Sequence, residues 1–227
     1  MEQPECSTIR ISYLLKSEKM KDYGFSESEI KRMGGKVIAV IGSGTPPDNI
    51  NLPYLKVPAI ISSLQLIASS ARNKFKGKVI GVTGSAGKST LCDMFTTVFS
   101  SAFGRDSVLT TQKNENLQLG ITTTLSRLSQ KEKYAVLEIA AGHAGKCSSI
   151  ARPDLALFSN ISHVHASKYG SLEDIADRKS EIFKGVKQGG VAVICRDTPL
   201  FERVNKHALN EGLRVITYGH HEDSDFK

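Results

Sequence analysis

From Val57 onward the chain alternates short β-branched apolar runs with segments of helical period. The runs KVIGVT (78–83), SVLT (107–110), YAVLEIA (134–140), DLALFS (154–159), VAVIC (191–195) and LRVITYG (213–219) are apolar almost throughout. Strands covered on both faces by helices have this composition. Between them, apolar residues recur at spacings of three and four. VPAIISSLQLIASSARNKF places Ile60, Leu64, Ile67 and Ala68 on one stripe. Lys88–Phe103, Gly120–Ser129, Ala144–Ala151, Ser171–Val186 and Pro199–Glu211 read as further helices. Such alternation predicts an α/β fold, a mostly parallel, doubly wound sheet.

The first 56 residues differ. The opening stretch is polar and irregular, with SEKMKDYGFSESEIKRM offering one short helix at most. GGKVIAVIGSG (34–44) reads as a strand and a glycine turn, and PPDNINLPYLK (46–56) as a proline-broken connector. The expected division is a reduced N-terminal region over 1–56 and an α/β domain over 57–227. KVIAVIGSG (36–44) echoes KVIGVTGSA (78–86) at six of nine positions, but the first copy runs into Thr-Pro-Pro and never reaches a Gly-Lys pair.

Composition narrows the class. With 227 residues, 40% hydrophobic and 23% charged, the chain is an ordinary globular protein and not a disordered one. No apolar run approaches the roughly 18 residues of a membrane span. The start, MEQPECSTIR, lacks the basic-then-apolar pattern of a secretory leader. Four scattered cysteines without a CxxC argue against a zinc ribbon or a disulfide framework, so the expected compartment is the reducing cytoplasm. The balance of 30 Lys+Arg against 23 Asp+Glu, net +7, admits an anionic partner. The densest basic stretch, Arg72 to Lys78, reads as a solvated face, and nucleic acid is not expected.

The strongest chemical signal is GVTGSAGKST (81–90), a strand, a glycine-rich turn and an amphipathic helix in succession. Glycines let backbone N–H groups converge on phosphate oxygens, and a helix N-terminus adds positive partial charge. Thr83, Gly84, Ser85, Ala86, Gly87, Lys88, Ser89 and Thr90 are therefore the candidate ATP loop. Lys88 would reach the β- and γ-phosphates and Ser89 would ligate Mg²⁺. The strict GxxxxGK[ST] spacing would put Val82 at the first glycine, so the loop is a variant.

Ligands of open parallel sheets bind beyond the carboxyl ends of the strands. Glu138 lies near the end of one strand, and His163 and His165 follow another, all on the edge of the phosphate loop. An acid and an imidazole beside a triphosphate suit metal binding or water positioning, although a hydrogen-bonded loop histidine is an equal reading for either His alone. Lys179 lies four residues from both Ile175 and Phe183, on the apolar stripe of its helix. Held there, its amine would be neutral and reactive; the alternative is a stem that snorkels to the surface. TTQKNENLQLG (110–120), a polar loop after a strand, is a substrate-contact candidate.

Together these residues resemble the Mur ligases, the ATP-dependent amide-forming enzymes of bacterial cell-wall precursor assembly, and among them the branch that adds D-alanyl-D-alanine to UDP-N-acetylmuramoyl-tripeptide. The resemblance runs from about Leu52 to Gly219 through TGSAGKST, TQKNENLQLG, YAVLEIAAGHAG, SNISHVHASKYGSLEDIADRKSEIF, VAVICRD and VITYG. It implies catalytic roles for Lys88, His165 and a carbamylated Lys179. It makes Ser89, Glu138 and His165 metal ligands, puts Asp197 at the nucleotide, and sets Thr111, Asn114, Asn116 and His143 on the substrate side. The implied cofactors are ATP and Mg²⁺. The implied partners are a carboxylate substrate such as a UDP-sugar peptide, and an amine. The sequence departs from the family's usual residues at Thr122, Gly142 and Cys195. The family's third domain is expected to lie outside this chain, either in trans or lost by truncation. Two readings follow: the ATP-binding portion of an amide ligase, or a non-catalytic nucleotide- or partner-binding module that binds without turnover.

Overall fold

The computed structural model describes residues 15–16, 39–43, 52–112, 115–162 and 170–227. The chain divides into two compact units, Met1–Ile67 and Ala68–Lys227. The candidate helix in 17–33 lies outside the described residues.

The first unit holds a small parallel sheet of β1 (Leu15–Lys16), β2 (Val40–Gly42) and β3 (Tyr54–Lys56), in that order. Two of these strands depart from the sequence reading. Leu15–Lys16 falls in the irregular opening, and Tyr54–Lys56 replaces the end of the expected connector. Both are made into strands by pairing with β2, Leu15 opposite Ile41 and Tyr54 opposite Val40. Helix α1 (Ile60–Lys74) follows and runs across the unit boundary.

The second unit is a six-stranded parallel sheet. Its strands are β4 (Lys78–Thr83), β5 (Val108–Thr110), β6 (Tyr134–Glu138), β7 (Leu155–Phe158), β8 (Val191–Cys195) and β9 (Arg214–Tyr218), in the order β5-β6-β4-β7-β8-β9. The crossovers contain α2 (Lys88–Phe103), α3 (Gln118–Ser126), α4 (Ala144–Ala151), α5 (Leu172–Ser180) and α6 (Phe201–Asn210). This is the doubly wound parallel α/β architecture the alternation predicts.

Period two splits the central strands β4, β6, β7 and β8 between two cores. Val79, Leu137, Phe158 and Ile194 face a large core with Ile121, Leu125, Ile175 and Phe183. Ile80, Val82, Val136 and Leu157 face a smaller one, where α2 brings Cys92, with Leu91, Phe95 and Phe99 packed against it. Buried Arg72 ties the layers together. Its Nε donates to the Ala151 carbonyl (2.6 Å) and one terminal nitrogen to the Arg152 carbonyl (2.6 Å) and to Asp154 (3.3 Å). Asp154 also accepts from the Val79 N–H (2.9 Å), so its carboxyl is held below the usual carboxylate range despite burial.

The segment expected to be one helix over Ser171–Val186 has two parts. A capping box opens α5: the Ser171 hydroxyl accepts from the Asp174 N–H (3.1 Å) and the Asp174 carboxylate from the Ser171 N–H (3.0 Å). The chain then tightens to a 3₁₀ turn over Glu181–Gly185. The Ser148 hydroxyl donates to the Ile182 carbonyl, and Gly185 packs so closely on Ser148 that a Cβ would collide with its backbone.

Candidate nucleotide site at the carboxyl edge of the sheet

Strand β4 ends at Thr83, whose buried hydroxyl donates to the Ile139 carbonyl (2.9 Å). The chain turns through Gly84 at φ +150 and Gly87 at φ +79, and α2 begins at Lys88. A Cβ on Gly84 would collide with the Ser159 hydroxyl. No side chain caps α2 and its first turn holds no acid. Its leading N–H groups and the positive end of its dipole are thus left for an anion.

The segment after β7 clamps this turn. The Ser85 N–H donates to the Asn160 carbonyl (2.9 Å), and the Ala86 N–H to Asn160 Oδ1 (2.9 Å). The Ser159 hydroxyl donates to the Ala86 carbonyl (2.8 Å), and the Ser162 N–H to Ser85 Oγ (3.0 Å). Sequence reasoning did not select Ser159, Asn160 or Ser162. They carry no local pattern, and the pairing with β4 that brings the end of their strand to the turn is made only in the fold.

Two lysines converge on one backbone oxygen. Lys88 Nζ donates to the Gly84 carbonyl (3.0 Å), and so does Lys179 Nζ (2.7 Å) from α5, 95 residues away. Lys179 is only 6% exposed, so it does not snorkel. Burial, and then the nearby Lys88 ammonium, pull its pKa from 10.5 down to about 8.

A second cluster surrounds Glu138 at the end of β6. The Ser89 hydroxyl donates to Glu138 Oε2 (2.6 Å) and Asn116 Nδ2 to Oε1 (2.8 Å). The Glu138 N–H donates to Thr111 Oγ1 (3.0 Å), and the Ala140 N–H to the Asn116 carbonyl (3.0 Å). Four candidates drawn from three separate motifs thus form one network. A hydroxyl and a carboxylate at this spacing are hard oxygen donors, the set that Mg²⁺ takes.

The other candidates fall elsewhere. His143 is exposed at the end of the 3₁₀ turn Ala141–His143, just before α4. Thr90 is exposed in the first turn of α2. Asp197, past β8, accepts from the N–H groups of His220 (2.7 Å) and His221 (2.9 Å), which lower its pKa. Its carboxylate therefore fixes the turn after β9. Asn114, His163 and His165 lie outside the described residues. Among the described residues, no three His, Cys, Asp or Glu side chains group to hold a metal, and no helix is long and apolar enough to cross a membrane.

A parallel sheet, a glycine turn feeding an uncapped helix, and a lysine and serine at its start define a nucleotide-binding α/β domain of the P-loop class. The profile of the Mur ligase middle domain matches residues 82–227. The chain belongs to the Mur ligase family, through that middle domain. It is 31% identical over 186 residues to the UDP-N-acetylmuramoyl-tripeptide–D-alanyl-D-alanine ligase of Escherichia coli (strain K12), covering 81% of this chain and 39% of that protein. It is 32% identical over 191 residues to the enzyme of the same name from Bacillus subtilis (strain 168), covering 83% and 41%. Among solved structures, MurF from Acinetobacter baumannii superposes with a TM-score of 0.73 at 25% identity, over 94% of this chain and 45% of that one. MurF from Thermotoga maritima in complex with ADP gives 0.67 at 25% identity, over 94% and 51%. The chain thus spans about two fifths of the length of the curated relatives it matches.

Proposed function

We propose that this chain is the ATP-binding portion of a cytoplasmic Mur-like ligase that forms an amide through an acyl phosphate. Residues 57–227 are the ATP-binding domain and 1–56 a reduced substrate-side region. The observation that carries the reading is the convergence of Lys88 and Lys179 on the Gly84 carbonyl beside the Ser89–Glu138 pair. A phosphate loop alone needs Lys88; a buried second lysine and a carboxylate serve more chemistry than nucleotide binding.

In this reading the Gly87 N–H and those at the start of α2 take the phosphates, while the Ser85 and Ala86 N–H groups stay on Asn160, and Lys88 leaves Gly84 to neutralise the γ-phosphate. Ser89 and Glu138 would hold Mg²⁺, which screens charge on the transferring phosphoryl group. Asn116 keeps the Glu138 carboxylate aimed at that position, and Thr111 fixes the Glu138 backbone beneath it. A substrate carboxylate, in the relatives' case that of a UDP-muramoyl peptide, attacks the γ-phosphorus and ADP leaves. An amine nitrogen then attacks the acyl carbon, phosphate departs and the amine loses a proton. Most of the rate comes from positioning and charge neutralisation. Lys179, with its pKa near 8, is neutral often enough for its nitrogen to attack CO₂, giving a carbamate and releasing one proton. The carbamate would place an anion beside Lys88 where a cation now stands.

Lys179→Ala tests this in the full-length ligase. The expected outcome is a loss of ATP-dependent amide formation of at least a hundredfold, partly restored by short carboxylates such as formate or acetate. Unchanged turnover in Lys179→Ala would remove the lysine from the chemistry.

A further inference from the structure

In a parallel sheet all strands start on one edge, and here that edge is opposite the nucleotide loop. The structure gathers on it cations that are scattered in sequence. Lys74, Lys76 and Lys78 lead into β4, Arg105 leads into β5, and Lys131 and Lys133 lead into β6, on three adjacent strands. All six are exposed.

Backbone bonds fix the three approaches side by side. The Lys78 N–H donates to the Lys133 carbonyl (2.9 Å), the Lys133 N–H to the Ser107 carbonyl (2.7 Å) and Gln130 Nε2 to the Lys74 carbonyl (3.2 Å). Gly77 lies so close to Lys133 that a Cβ would strike its backbone. The carboxylates on this stretch of edge are Asp106, Glu132 and Asp154. Glu132 accepts from the Ser129 N–H (2.8 Å) and hydroxyl (2.7 Å), and Asp154 is paired with buried Arg72. Among the described residues, Lys78 alone of the six pairs with a carboxylate, at 3.8 Å. An apolar group stands in the patch. Phe103, the last residue of α2, is 45% exposed, with Lys133 Nζ 4.7 Å from its ring centre.

We infer that this edge docks on an anionic bilayer surface, its lysines and arginine meeting headgroup phosphates and Phe103 entering the interfacial layer. Exposed strand ends present many cations over a broad front, and cations around an aromatic side chain are the chemistry of an interfacial contact. Nucleic acid fits less well, because Lys133 covers a face of the ring that a base would stack on. Lipid and nucleotide would occupy opposite edges and bind without excluding each other.

Vesicle flotation of the purified chain tests the inference. The chain should float with phosphatidylglycerol–phosphatidylcholine vesicles at low salt, stay behind with phosphatidylcholine alone, and release as salt rises. Lys76→Ala, Lys131→Ala and Lys133→Ala combined should weaken the association about a hundredfold, or about fivefold per lysine, with the melting temperature unchanged. No flotation, equal flotation with neutral vesicles, or equal flotation of the triple variant would each overturn it. So would tighter capture by a single-stranded oligonucleotide that depends on the same three lysines.

Discussion

Lys179 exemplifies what one residue contributes. Its position on an apolar stripe is written in the local spacing, which leaves burial and snorkelling both open; the fold buries it. Its partner is not written there. The Gly84 carbonyl becomes available only because α5 packs back over the phosphate turn, 95 residues away. The lysine's lowered pKa has a thermodynamic consequence. Between about 8 and 10.5 the folded chain releases this proton while the unfolded chain still binds it, so stability rises with pH across that window. Compared with Lys179→Met in CO₂-free buffer, the parent chain should gain stability as pH climbs from 8 to 10.5, read as urea midpoints. A difference between the two that stays flat with pH would contradict a desolvated amine. Glu138 was legible in the same way, as a carboxylate in an apolar strand. That Asn116 and Thr111 hold it was not, because the loop containing them had no pattern beyond polarity.

At the level of elements, strand and helix positions in the second unit follow closely from periodicity. Lys88–Phe103 and Ala144–Ala151 have the expected bounds, because Gly87 and Gly104 flank the first and Pro153 closely follows the second. The departures arise where pairing or packing supplies what the local sequence lacks, as in β1, β3 and the 3₁₀ turn after α5. The phosphate turn depends on both kinds of information. Its glycines are visible in sequence, while its clamp by Ser159, Asn160 and Ser162 is tertiary. Gly84→Ala should displace that clamp, since its methyl would occupy the place of the Ser159 hydroxyl at a positive φ. We expect at least tenfold weaker ADP binding by calorimetry and a lower melting temperature. Unaltered ADP affinity would mean that the turn tolerates a different path.

At the scale of the whole molecule, the sheet separates two kinds of charge chemistry. One edge gathers Lys88, Lys179, Ser89 and Glu138 around an uncapped helix, and the opposite edge gathers exposed cations around Phe103. The stretch from Arg72 to Lys78 reads in sequence as a solvated face, but Arg72 is buried, and the lysines that complete the patch arrive from other strands. The family and the central fold were legible because their motifs are ordered along the chain; the surface was not, because it is assembled across it. The central claim is that the described loop binds Mg-ATP through Lys88. Calorimetric titration of the purified chain with Mg-ATP, beside Lys88→Ala, tests it most directly. Saturable one-to-one binding that is lost in Lys88→Ala is the predicted result, and equal binding by both chains, or binding by neither, would contradict it.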